Sequence, residues 1–257
     1  MGQEAEHLLV VRQVLRGLVL ALALAVSGSC GSGSDSRRTG GVEASDHDAF
    51  FLWAGVKPPA ALAKAKSIYL PRGEVRAGDN ARIVPLRPAV PHVRHAAIWL
   101  TLRVERIDWT EDVYRQLSRE LARWEAAGNR LEGLQVDFDA ATRGLDRYGA
   151  FLRDLRQRLP PRYRLSVTGL MDWSANGDPA ALAGLAGTVD EIVIQTYQGR
   201  KTIPGYEAYM ASLARLPIPY RIGLVEGGEW RAPAALADDP DFRGYVVFLL
   251  NGLPTSE

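Results

Sequence analysis

The chain has 257 residues, 47% of them apolar, and 31 basic side chains stand against 30 acidic ones for a net charge of +1. That composition suits a globular protein with one sizeable core, and without a basic excess or stripe no nucleic-acid partner is expected. Cys30 is the only cysteine, which excludes an intrachain disulfide and a zinc–thiolate cluster.

Taken in order, residues 1–30 read as a targeting segment. Arg12 and Arg16 precede an apolar run, Leu18 to Val26, that is too short to span a bilayer. Ser27-Gly28-Ser29-Cys30 follows and resembles a bacterial lipoprotein signal, although Ser27 stands where that motif has Leu. The resemblance implies lipidation of Cys30 and a membrane-anchored, extracytoplasmic protein, in the periplasm or at the cell surface. Residues 31–46, rich in Gly and Ser, read as a flexible tether, and 47–257 as a single domain.

Within that domain short apolar runs alternate with helical patterns, the sign of parallel βα units. Eight strands are expected: Ala49 to Ala54, Ser67 to Leu70, Ala96 to Val104, Leu134 to Asp139, Leu165 to Leu170, Glu191 to Tyr197, Tyr220 to Val225 and Gly244 to Leu250. An extra extended piece lies around Arg82 to Leu86. After the third strand Asp108 offers a helix cap with Glu111 in the reciprocal position, and Val113, Leu117, Leu121 and Trp124 form an apolar stripe closed by Gly128-Asn129. Leu145, Tyr148, Leu152, Leu155 and Leu159 form the next stripe. Asp178-Pro179 opens a third helix, and a fourth is expected from Tyr206 to Leu216. The pattern predicts a compact (β/α)₈ TIM barrel. The rival, an open dinucleotide sheet, lacks its Gly-rich phosphate loop after the first strand, where Gly55-Val56-Lys57-Pro58-Pro59 stands.

The fourth strand carries opposite chemistry on its two faces. Alternation puts Leu134, Val136 and Phe138 on one side, and Gln135, Asp137 and Asp139 on the other. In such a barrel the functional residues sit at the C-terminal strand ends. There the fifth strand ends in Asp172 and Trp173, the sixth in Gln195, Tyr197 and Gln198, and the seventh in Glu226, while Arg72 follows the second. Carboxylates, amides and aromatics with little histidine suit a polysaccharide or oligosaccharide ligand, whose hydroxyls need polar partners and whose C–H faces stack on rings. No cofactor or metal is expected, since His92 and His95 lack a third ligand.

These residues resemble family 18 glycoside hydrolases, the chitinase-like barrels, whose fourth strand carries Asp-Gly-x-Asp-x-Asp-x-Glu. The corresponding run is Glu132-Gly133-Leu134-Gln135-Val136-Asp137-Phe138-Asp139, and Gln195-Thr196-Tyr197-Gln198 corresponds to the family's Met-x-Tyr-Asp. The resemblance implies Asp139 as proton donor, Asp137 as its partner and Tyr197 beside the anomeric centre. It also implies acid-assisted cleavage of a glycosidic bond. Gln135 and Gln198 depart from the pattern by replacing carboxylates. Through Phe51-Leu52-Trp53-Ala54, Val136-Asp137-Phe138-Asp139 and Gln195-Thr196-Tyr197-Gln198-Gly199, the chain is also similar to a secreted bacterial family, domain of unknown function 3142.

Two aspartates on one strand cannot easily flank a scissile bond as acid and nucleophile. They are expected to act as an acid and the neighbour that raises its pKa, with the nucleophile being the substrate itself, Asp172 or Glu226. Gln135, Gln195, Gln198, Asp172, Trp173, Glu226 and Arg72 are the candidate substrate-binding residues. Binding without turnover is the alternative, and a polar cluster tied to Arg103 or Thr168 is the purely structural one.

Overall fold

The computed structural model describes residues 40–213 and 216–251, apart from the side chain of Arg143. The leader, Cys30 and most of the tether lie outside the described residues. Eight parallel strands form the body: β1 (Ala49–Leu52), β2 (Ser67–Val75), β3 (Ala97–Val104), β4 (Arg130–Asp137), β5 (Arg164–Leu170), β6 (Glu191–Gln195), β7 (Tyr220–Val225) and β8 (Phe242–Leu249). Each pairs with its sequence neighbours, and β8 pairs with β1, so the sheet closes into a barrel. All eight expected strands are present. The extended piece is the short strand Val84–Pro85, which pairs antiparallel with Gly73 and Glu74 of β2.

The periodicity holds where it is strongest. Helix α1 (Glu111–Ala126) buries Val113, Leu117, Leu121 and Trp124, and α2 (Leu145–Arg158) buries Leu145, Tyr148, Leu152 and Leu155 against the outside of the barrel. Gly128 ends the first with φ +81°, a conformation that disfavours any side chain. The cap of α1 differs from expectation. Thr110 occupies the N-cap position, while Asp108 is held by Arg106 at 2.6 Å, so its carboxylate is no longer available to the helix. Asp172–Asn176 is a short helix, α3, rather than a strand end. Helix α4 (Pro179–Leu185) is capped as expected, with Asp178 accepting from the amides of Ala180 and Ala181 at 2.8 and 2.9 Å. Helix α5 covers only Tyr206–Met210 of the longer helix expected there.

Gly40 and Gly41, within the stretch read as tether, pair antiparallel with Trp230 and Glu229 beyond β7. Inside the barrel, alternation brings Ala49, Phe51, Tyr69, Trp99, Val193, Val246 and Phe248 into one cluster, separate from the larger core between strands and helices. A polar chain crosses the same interior. Thr101 donates to Gln135 at 3.2 Å, Gln135 to Ser166 at 3.2 Å, and Glu191 accepts from Tyr69 at 2.6 Å and Arg221 at 2.9 Å. Gly133 makes the β4–β5 contact possible, because a Cβ there would collide with the Arg164 carbonyl.

Candidate functional site

Strand β4 ends at Asp137, which is 1% exposed, whereas the Asp139 side chain beyond the last ladder residue is 59% exposed. The two share a face but not a depth. Arg103, at the end of β3 and in register with Asp137, bridges them: one guanidinium nitrogen lies 3.0 Å from Asp137 Oδ2 and the other 3.1 Å from Asp139 Oδ2. Thr168 on β5 donates to Asp137 Oδ1 at 3.0 Å. Burial pushes the Asp137 carboxyl above its ordinary value, opposed by Arg103 and Thr168 and assisted by Asp139. The Arg103 charge is strengthened in turn, because its two aspartates outweigh its own burial. The expected pKa tuning therefore falls on the buried Asp137, and burial, more than the neighbouring carboxylate, drives it.

Tyr197 stands at the same mouth, two residues past the end of β6. It sits in a small hairpin in which Tyr197 and Gln198 pair with Thr202 and Lys201, turning at Gly199 with φ +59°. Its ring packs 4.8 Å from Phe248, and Phe51 links Phe248 (4.5 Å) to the half-buried Trp53 (4.7 Å). Burial and the field of Asp137 and Asp139 push the Tyr197 hydroxyl well above the usual phenol value. Of this aromatic arc along β1, β8 and β6, Phe51 and Phe248 are at most 1% exposed, which leaves Trp53 and Tyr197 as its half-buried members at the mouth, and the charged side chains stand on β3 and β4. Gln195 is half-buried at the end of β6, and Gln198 is exposed in the hairpin.

Three candidates are placed elsewhere. Gln135 is fully buried, and its amide is used by Thr101 and Ser166 in the barrel interior, so it has no surface for a ligand. Trp173 is also fully buried, with its indole N–H donating to the Ala140 carbonyl at 3.0 Å and its ring edge-on to Tyr148 at 6.1 Å. It is a core residue rather than a sugar platform. Arg72 falls where the β2–β3 register shifts between Pro71 and Gly73; its guanidinium faces α1, 2.6 and 3.0 Å from the two Glu120 oxygens. Asp172 opens α3, accepting from the Thr142 hydroxyl through Oδ2, while its buried Oδ1 has no partner among the described residues. Glu226 lines a cleft of about 650 Å³ at the ends of β1, β7 and β8, together with Lys57, Arg200 and Asn251, and accepts from the Leu250 amide at 3.3 Å. Glu132 is ion-paired with Arg164 at 3.0 Å near the start of β4.

Residues that strand-end reasoning passed over are Trp53 and Arg87, while Arg103 and Thr168 entered only as structural partners. Their signal in the sequence is register: Arg103 and Thr168 fall on the inward phase of β3 and β5, level with Asp137.

The closed parallel barrel is also the fold of solved structures with which the chain superposes. A chitinase from Rhizomucor miehei superposes with a TM-score of 0.52 at 15% identity, covering 69% of this chain and 68% of its own. A xylanase–α-amylase inhibitor protein in complex with trehalose superposes with a TM-score of 0.51 at 11% identity, covering 78% of this chain and 92% of its own. At these identities the likeness is one of fold. By sequence, residues 87–207 match the family model of DUF3142, a domain of unknown function. No curated protein sequence matches the chain.

Proposed function

We propose that the mouth of the barrel binds a polysaccharide or oligosaccharide, as a glycoside hydrolase-like protein in which recognition takes precedence over turnover. The observation that carries this reading is the Arg103 fork closed over Asp137 and Asp139, at the strand ends that also hold the half-buried Trp53 and Tyr197. Aromatic rings and charged hydrogen-bonding groups near one another are what a sugar ring requires. A general acid must be protonated and must reach the leaving oxygen. Here the residue with the raised pKa, Asp137, is buried, and the exposed one, Asp139, is ion-paired with an arginine.

Acid-assisted cleavage is the second reading, favoured by the elevated Asp137 carboxyl beside Tyr197. In it a substrate draws Arg103 away, and Asp139 donates a proton to the glycosidic oxygen as that oxygen's bond to the anomeric carbon breaks, while Asp137 steadies the substrate's own group that forms the new bond to that carbon. The leader supplies the rest of the proposal: lipid on Cys30 holds the protein in the bacterial envelope, and metabolic labelling with a palmitate analogue, lost in Cys30→Ala, tests it. For the mouth, the full chain in detergent is presented to a glycan panel with product analysis of every hit. Binding without products that Tyr197→Ala weakens supports recognition. Products that vanish in Asp139→Asn support cleavage, and no retained glycan overturns both.

A further inference from the structure

The pairing of β1 with β2 stops at Phe51 and Tyr69, and beyond it neither Leu52 nor Pro71 has a partner on the facing strand. Arg87 fills that notch. Its Nε donates to the Pro71 carbonyl at 3.0 Å and its Nη2 to that of Leu52, while its own carbonyl is held by Arg72 Nη1 at 3.0 Å. A guanidinium has five N–H donors, and two are used here, which leaves the Nη1 edge and one further Nη2 donor. Both partners are neutral, and no carboxylate among the described residues pairs with it. Burial alone acts on the group, pulling its pKa down, with no negative charge offsetting the desolvation.

Its surroundings point to what it lacks. Leu52, whose carbonyl it holds, is followed by Trp53, the half-buried end of the aromatic arc. The tight turn from Trp53 to Lys57 is tied to Asn251, whose Oδ1 accepts the Lys57 amide at 3.0 Å, and Arg200 donates to the Asn251 carbonyl at 2.5 Å. Lys57 and Arg200 line the 650 Å³ cleft, and neither is ion-paired among the described residues; Glu226 is the single carboxylate lining it. The cleft at the end of β1 is therefore lined by two cations against one carboxylate, and Arg87, which holds the carbonyl just before Trp53, offers the flat donor edge that fits a carboxylate in two-point contact.

We propose that the glycan bound at this mouth is acidic, with the carboxylate of a uronic-acid-type sugar seated on Arg87 while its ring lies against Trp53. Arg72 is a positioning residue, acting through the Arg87 carbonyl. The inference rests on the glycan-binding reading and adds the class of sugar.

The test uses the full chain in detergent and a panel of uronic-acid oligosaccharides, each beside its carboxyl-reduced counterpart. At least one acidic member is expected to bind about tenfold or more tighter than its reduced form, and Arg87→Gln to remove most of that difference. Because Arg87 also closes the β1–β2 notch, the exposed pair Lys57→Gln/Arg200→Gln is measured in parallel. It is expected to flatten the dependence of affinity on salt while leaving the fold intact. Equal affinity for acidic and reduced forms, or retention of neutral glycans alone, overturns the acidic-sugar assignment and leaves the glycan-binding reading standing. A preference that survives Arg87→Gln overturns the role of Arg87. Retention of no glycan of either kind overturns the underlying reading and this one with it.

Discussion

Replacing Arg103 by methionine keeps most of its aliphatic stem and removes the one cation that touches both aspartates. Asp139 is solvated and loses little. Asp137 is 1% exposed and is left with Thr168 as its one hydrogen-bond partner among the described residues. Removing one partner of a buried ion pair costs about 3–5 kcal/mol. The Arg103 side chain is 36% exposed, and solvent screens part of the pair, so about 2–3 kcal/mol is expected at neutral pH. For a domain of this size that lowers Tm by roughly 4–12 °C.

The sign of the pH dependence follows from the direction of the Asp137 shift. A carboxyl whose folded pKa lies above its unfolded value binds more protons when folded. Its contribution is fully favourable below the unfolded pKa and is lost as pH rises through the folded one. Arg103→Met raises that folded pKa further, so the deficit relative to wild type shrinks as pH falls. The assay is urea unfolding at pH 7 and at mildly acid pH, with the cycle completed by Asp137→Asn and the double variant. Asp137→Asn should recover most of the Arg103→Met loss. A pH-independent loss under about 0.5 kcal/mol, with no rescue by Asp137→Asn, refutes the reasoning.

Other substitutions separate fold from site. Trp173→Ala should cost about 3–5 kcal/mol in chemical denaturation while the folded fraction keeps wild-type glycan affinity, because the ring is wholly core. Gly133→Ala should cost more than about 3 kcal/mol or abolish soluble expression, since the new Cβ meets the rigid Arg164 backbone. Asp139→Asn should change stability by less than about 0.5 kcal/mol, its side chain being exposed, and should weaken glycan binding severalfold in calorimetric titration. Glu191→Gln should destabilise the domain by about 2–4 kcal/mol, measured by thermal unfolding, because Arg221 then lacks its carboxylate.

The strand positions were legible because each barrel strand is a short apolar run bounded by turn residues, and α1 and α2 because their stripes recur every three or four positions. Depth along the barrel axis was not. Alternation assigns Gln135, Asp137 and Asp139 to one face, but only the register with β3 and β5 shows that Gln135 lies inside, Asp137 at the mouth and Asp139 beyond it. The irregularity at Pro71–Gly73 turned Arg72 outward, which a period of two has no means of signalling. Trp173 lies in a loop-like sequence, yet its ring is buried in the core, where the indole N–H meets the Ala140 carbonyl. Arg87 could be located only once the closure of β1 on β2 was known to stop at Phe51.

The central claim is that sugars bind between the Arg103-bridged aspartates and the aromatic arc. Its most direct test is a calorimetric titration of the best panel glycan into the full chain in detergent and into Tyr197→Ala, which removes the ring from the arc. Saturable binding that falls about tenfold or more in Tyr197→Ala, with both proteins unfolding cooperatively, is the predicted result. Undiminished binding in that variant would place the sugar elsewhere and contradict the account.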